Sequence, residues 1–129
     1  ELVINKVVYA PWIPGASQLI KNNFDKYKLF ISTATPTNEI KEIIKRKRIN
    51  KYFLNIYGSP EKKYDHISHI ISNYKLNNNE IIFIGDSNSD LNAAMKSKIK
   101  FELVKNKFNS GLVIKYNGQI INNFNDLRL

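Results

Sequence analysis

The stretch from Ile81 to Ala94, Ile-Ile-Phe-Ile-Gly-Asp-Ser-Asn-Ser-Asp-Leu-Asn-Ala-Ala, constrains the fold of this chain more than any other. Ile81 to Ile84 form a short apolar run without alternation, the pattern of a strand buried on both faces. Gly85 permits a tight turn, Asp86 stands where the strand stops, and a second carboxylate, Asp90, follows four positions later. Leu91, Ala93, Ala94 and Met95 then supply good helix formers with an apolar side. A buried parallel strand that ends in an acid and passes into a helix is where open α/β sheets bind their ligands. Two carboxylates held close together repel each other unless a cation accompanies them. Hard oxygen donors in an open loop suit magnesium, which takes one or two carboxylates, waters and substrate phosphate. The alternative is that Asp86 ends a strand and Asp90 starts a helix, both as caps.

The rest of the chain repeats this passage from strand to helix. After the breakers Pro11, Pro14 and Gly15, the spacing of Ala16, Leu19, Ile20 and Phe24 predicts a short amphipathic helix. Tyr27 to Thr33, with Leu29, Phe30 and Ile31 contiguous, predicts a strand. Thr35-Pro36 reads as a hydroxyl N-cap with proline at the first helical position. The helix it opens carries Ile40, Ile43 and Ile44 on one stripe and ends near Arg48. Lys51 to Tyr57 predicts a second strand, Gly58-Ser59-Pro60 a second strand-to-helix junction, and Tyr64, Ile67, Ile70, Ile71 and Tyr74 a helical stripe. Ile99 to Val104 predicts another strand. Asn117-Gly118, between Leu112–Tyr116 and Gln119–Asn122, predicts a C-terminal β-hairpin. Glu1 to Ala10 is apolar enough to pack but too short to classify. The whole reads as an α/β fold, a Rossmann-like parallel sheet with helices on both faces and function at the carboxyl ends of its strands. Those ends are Thr33, Tyr57-Gly58 and Asp86.

Composition narrows the functional classes. A length of 129 residues allows one domain with a real core, and 43% apolar with 24% charged residues is ordinary for a globular chain. No run approaches the roughly 20 apolar residues of a membrane span. The absence of cysteine excludes disulfides and thiolate metal sites and fits a cytoplasmic protein. The net charge of +9 invites a nucleic-acid reading, but the only dense cluster is Lys41, Lys45, Arg46, Lys47, Arg48 and Lys51. Cations of that kind belong at a helix C-terminus, so nucleic acid is not the expected partner. His66 and His69 have a spacing that can ligate metal. The stripe of Ile67, Ile70 and Ile71 places both toward the helix flanks, at the surface or its boundary. Trp12 reads as packing.

Three chemistries meet at the strand ends. Thr33 and Thr35 offer hydroxyls beside the free N–H groups of a helix N-terminus. Gly58-Ser59-Pro60-Glu61-Lys62-Lys63 brings a lysine, and Asp86 with Asp90 brings a metal. Hydroxyl, lysine and magnesium together suit a phosphoryl group. On these residues the chain resembles the haloacid dehalogenase superfamily of phosphohydrolases, over roughly residues 14 to 104. Phe30 to Pro36 resembles the second motif of that family, Tyr57 to Lys63 the third and Gly85 to Asp90 the fourth. The resemblance implies that Thr33, Ala34 and Lys63 bind the phosphoryl group, with Lys62 second to Lys63 on spacing. It implies that Asp86 binds magnesium directly and that Asp90 binds it or orients its water.

The first motif of the family, a strand followed by Asp-x-Asp, is missing. No Asp-x-Asp occurs in the sequence, and the only acids before the Thr33 strand are Glu1 and Asp25. Residues 1–13 are therefore expected to be the end of an upstream or cap segment with its linker. Residues 14–129 are expected to be the core without its first-motif strand, a sheet with open edges that invites self-association. The nucleophile is expected upstream of residue 1, and this segment alone is expected to be inactive. For the whole protein the resemblance implies magnesium-dependent hydrolysis of a small phosphomonoester through an aspartyl-phosphate, with Thr33 and Lys63 as catalytic residues. The alternative is a non-catalytic domain of the same fold that binds a phosphorylated ligand or a protein partner.

Overall fold

The structure, a computed structural model, describes residues 2–4, 16–122 and 126. Strands and helices alternate along the chain as β1 (Leu2–Ile4), α1 (Ala16–Asn23), β2 (Leu29–Pro36), α2 (Thr37–Arg46), β3 (Asn55–Ser59) and α3 (Lys63–Tyr74). They continue as β4 (Ile82–Gly85), α4 (Asn88–Ser97), β5 (Lys100–Val104), α5 (Ser110–Lys115) and β6 (Gln119–Ile121). The six strands form one sheet in the order β3-β2-β1-β4-β5-β6, and every pairing is parallel. The strand order reverses between β1 and β4, so the crevice beside their carboxyl ends is the place where such sheets take ligands. No described helix is long and apolar enough to cross a membrane.

The contiguous apolar runs explain why the sheet is covered on both sides. In a strand, successive side chains point to opposite faces. Leu29 and Ile31 of β2, with Ile84 of β4 and Val104 of β5, join Ile20 of α1 and Ile40 and Ile44 of α2 in one core cluster. Phe30, Phe83, Phe101 and Leu103 join Ile67 and Ile70 of α3 and Ala93 and Ala94 of α4 in the other. Neither face of β2, β4 or β5 is left to solvent, which fixes the register of the strands against slippage.

Four expectations are corrected. The sequence reading left the sheet without its central strand, yet Leu2–Ile4 lies there, pairing in register with Leu29–Ile31 on one side and Ile82–Ile84 on the other. Three apolar residues suffice because both neighbours present unpaired backbone groups that must be satisfied. Thr35 is not the N-cap of α2. Strand β2 runs on through Pro36, which occupies the cap position without a side-chain hydrogen bond. The second strand starts at Asn55 rather than Lys51, because residues 50–52 form a 3₁₀ turn and Leu54 is exposed.

The C-terminal hairpin does not form either. Leu112 to Lys115 belong to α5, and β6 returns parallel to β5. Leu112, Val113 and Tyr116 have helical spacing and pack against the cluster around Phe101, while the Tyr116 hydroxyl donates to the Phe101 carbonyl at 2.9 Å. Gly118 answers a close approach instead of forming a hairpin turn, since any Cβ there would collide with the Tyr116 ring.

Candidate active site

Asp90 is the centre of the polar site. It lies in the first turn of α4, where Ser87 is the N-cap and Asp90 completes a capping box. Asp90 N–H donates to Ser87 Oγ at 3.2 Å, and Asp90 Oδ2 accepts from the backbone N–H groups of Asp86 and Ser87, each at 3.1 Å. Its other oxygen, Oδ1, sits 2.6 Å from Lys63 Nζ in an ion pair with side chains 6% and 0% exposed. Gly85 makes this folding-back possible, since a Cβ there would stand 2.5 Å from Asp90 Oδ2. One side chain thus both caps α4 and pairs with Lys63.

The buried stripe of α3 explains how Lys63 reaches that carboxylate. Residues three and four apart share a helix face. Lys63, His66, Ile67 and Ile70 form the buried side of α3, whereas Tyr64, which the sequence reading put on the stripe, is 36% exposed. The Lys63 ammonium also donates to Ser89 Oγ at 2.7 Å. Lys62, the second candidate, is exposed on the rim of the same cavity.

Thr33, Ala34, Lys63 and Ser89 line one cavity of about 550 Å³ at the carboxyl edge of the sheet. Thr33 is fully buried, and its Oγ1 accepts from Thr35 N–H at 3.2 Å. The Thr33 Oγ1–Thr35 Oγ1 separation is 3.4 Å. Thr37, not singled out from the sequence, ties α2 to β3: its hydroxyl donates to the Ser59 carbonyl and accepts from Gly58 N–H.

Asp86 faces a second cavity, shared with Asn106 and Asn109. Asn106 Nδ2 donates to Asp86 Oδ2 at 3.1 Å, and Asn109 Nδ2 donates to the carbonyls of Asp86 and Val104, each at 2.9 Å. These two asparagines were missed. The usable signal was their place just past β5, whose carboxyl end lies on the same sheet edge as Asp86. Among the described residues no three His, Asp or Glu side chains converge as a metal cage. Asp86, half-buried with its carboxylate anchored on one side, has the chemistry of a single magnesium ligand. Asp90, expected to bind magnesium or to orient its water, holds Lys63 on one oxygen and two backbone N–H groups on the other.

The histidines part ways. His69 is exposed and stands 2.8 Å from Glu61. His66, expected at the surface or its boundary, is fully buried between Ser32 Oγ at 2.7 Å from Nδ1 and the Gly58 carbonyl at 3.0 Å from Nε2. Burial lowers its pKa from the ordinary 6.5, against the opposing pull of the Gly58 carbonyl and of Glu61 and Asp65.

Residues 5–104 match the family model of the haloacid dehalogenase-like hydrolases. Among solved structures, a haloacid dehalogenase-like family hydrolase from Streptococcus pneumoniae is 26% identical, over 84% of this chain and 53% of its own, with a TM-score of 0.75. A predicted phosphatase from Clostridium acetobutylicum is 25% identical, over 87% and 56%, with a TM-score of 0.76. A predicted phosphoglycolate phosphatase from Haemophilus somnus is 21% identical, over 88% and 54%, with a TM-score of 0.78. The chain spans about half the length of these relatives. No curated protein sequence matches it.

Proposed function

The chain belongs to the haloacid dehalogenase-like hydrolases, and from that premise we propose that it is the phosphoryl-binding part of a magnesium-dependent phosphatase acting on a small phosphomonoester. The observation that carries this reading is the convergence of Thr33, Ala34, Lys63 and Ser89 on one cavity, with the lysine held in place by buried Asp90. The Thr33 hydroxyl and the Ala34 backbone bind phosphoryl oxygens. The Lys63 ammonium, aimed by Asp90 and Ser89, offsets the charge that builds on those oxygens during transfer. Because its partners are preset, the lysine needs no reorganisation at that moment.

Asp86 would hold magnesium, with Asn106 fixing its carboxylate and Asp90 fixing the Asp86–Ser87 backbone that carries it. Bound there, magnesium would supply further positive charge against the phosphoryl group. An aspartyl-phosphate would require an attacking carboxylate, which an Asp-x-Asp after the central strand would supply. Leu2–Ile4 is followed by Asn5-Lys6-Val7, not by Asp-x-Asp.

The test uses the intact protein, an aryl phosphate and a magnesium titration. Asp86→Asn is expected to abolish magnesium-dependent turnover while leaving the fold intact. Unchanged turnover would remove the metal assignment. An intact protein that hydrolyses no phosphomonoester yet binds inorganic phosphate would turn the reading to a binding domain.

A further inference from the structure

His66 is a buried titratable group that the proposed reaction does not use, and its hydrogen bonds join three elements of the site. Ser32 precedes Thr33 on β2, Gly58 lies at the carboxyl end of β3, and His66 is one helical turn past Lys63 on the same buried face of α3. The roles in the two bonds are fixed by chemistry. A carbonyl only accepts, so Nε2 carries the proton and donates to Gly58. In the neutral ring Nδ1 then accepts from the Ser32 hydroxyl. Burial favours that neutral form. The Tyr57 ring stacks on the imidazole with centroids 5.6 Å apart, closing the remaining side.

We propose that His66 is a positioning residue: the Ser32–His66–Gly58 clasp sets the first turn of α3, and so Lys63, at the distance from Thr33 that a phosphoryl group requires. This rests on the reading of Thr33 and Lys63 as phosphoryl ligands. Lys63 is fixed at its tip by Asp90 and Ser89 of α4. Its base travels with the helix turn that His66 binds to β2 and β3. The clasp therefore sets the span between a strand-end hydroxyl on β2 and an ammonium carried by α3. Misplacement of such groups by about 1 Å costs up to about 100-fold in the chemistry they support.

Inorganic phosphate titrated into the full chain, with amide shifts followed by NMR, tests this. The parent chain is expected to shift at Thr33 and Ala34. Ser32→Ala removes the donor to Nδ1 and leaves the His66 bond to Gly58 in place. The double variant Ser32→Ala/His66→Leu removes both polar partners on that side, which costs little stability compared with removing one. Both variants are expected to keep native shifts in α5 and β6, which hold none of the clasp residues, and to bind phosphate about tenfold or more weakly, the double variant more so. If the double variant does not fold, Ser32→Ala decides. Parental affinity in a folded variant would overturn the positioning role and leave the functional reading standing. Absence of phosphate binding at Thr33 in the parent chain would overturn the functional reading, and the positioning role with it.

Discussion

The ion pair between Lys63 and Asp90 shows how one buried side chain is both scaffold and site. The reasoning that two nearby carboxylates need a cation was sound physics with an incomplete list of cations. Lys63 supplies one to Asp90 directly. That lysine is singled out by its loop, but its burial is legible only by running the Ile67 and Ile70 stripe back four and seven positions. Asn106 and Asn109 were not legible, because asparagine in a polar loop looks the same whether or not it anchors a carboxylate. A prediction follows from the burial of both charges. Asp90→Asn would remove the charge partner of a buried ammonium that keeps only neutral acceptors such as Ser89 Oγ, at a cost of about 3 to 5 kcal/mol in urea unfolding. Lys63→Met should cost less, since Asp90 keeps its two backbone N–H donors. Equal losses in the two variants would mean that the pair, and not the cap, carries the whole effect.

At the scale of elements, strand-to-helix units were readable wherever apolar runs and breakers alternate, and misread where two patterns overlap. Leu112 to Tyr116 fits a strand by alternation and a helix by spacing. Asn117-Gly118 favours a hairpin, but packing of Leu112, Val113 and Tyr116 against the Phe101 cluster selects the helix. In α3, polar residues on the buried face, Lys63 and His66, hid the true stripe. Helix α3 should also respond to pH. A histidine whose pKa is lowered in the fold binds more protons unfolded than folded, so stability rises with pH. Its contribution is complete above the ordinary 6.5 and is lost as the pH falls toward the lower value held in the fold. Urea unfolding of the parent chain should therefore lose up to about 1.4 kcal/mol per pH unit more than His66→Gln in that acid window. Parallel pH profiles would mean that His66 is not held neutral.

For the whole molecule, the decisive element is among the shortest, three residues long. Leu2–Ile4 stands between β2 and β4, and without it the sheet would be two separate pieces, β3-β2 and β4-β5-β6. The sequence reading could not assign it because three apolar residues carry no period; only the vacancy between two buried strands gives them a place. All strands being parallel, β1 ends on the same edge as Thr33 and Asp86, and the register sets Ile4 level with Ile31 and Ile84. That alignment makes a measurable claim. Amides bonded on both sides of a central strand exchange with solvent only when the sheet opens as a unit. Val3 and Ile4 should therefore exchange as slowly as Phe30, Ile31 and Phe83. If they exchange like a fraying terminus instead, β2 and β4 have open edges. Sedimentation should then show association that grows with concentration, because unpaired parallel edges recruit a second chain. Slow exchange with a monomer at all concentrations would establish one continuous six-stranded sheet, with Thr33 and Asp86 at the carboxyl ends of the two strands that flank its centre.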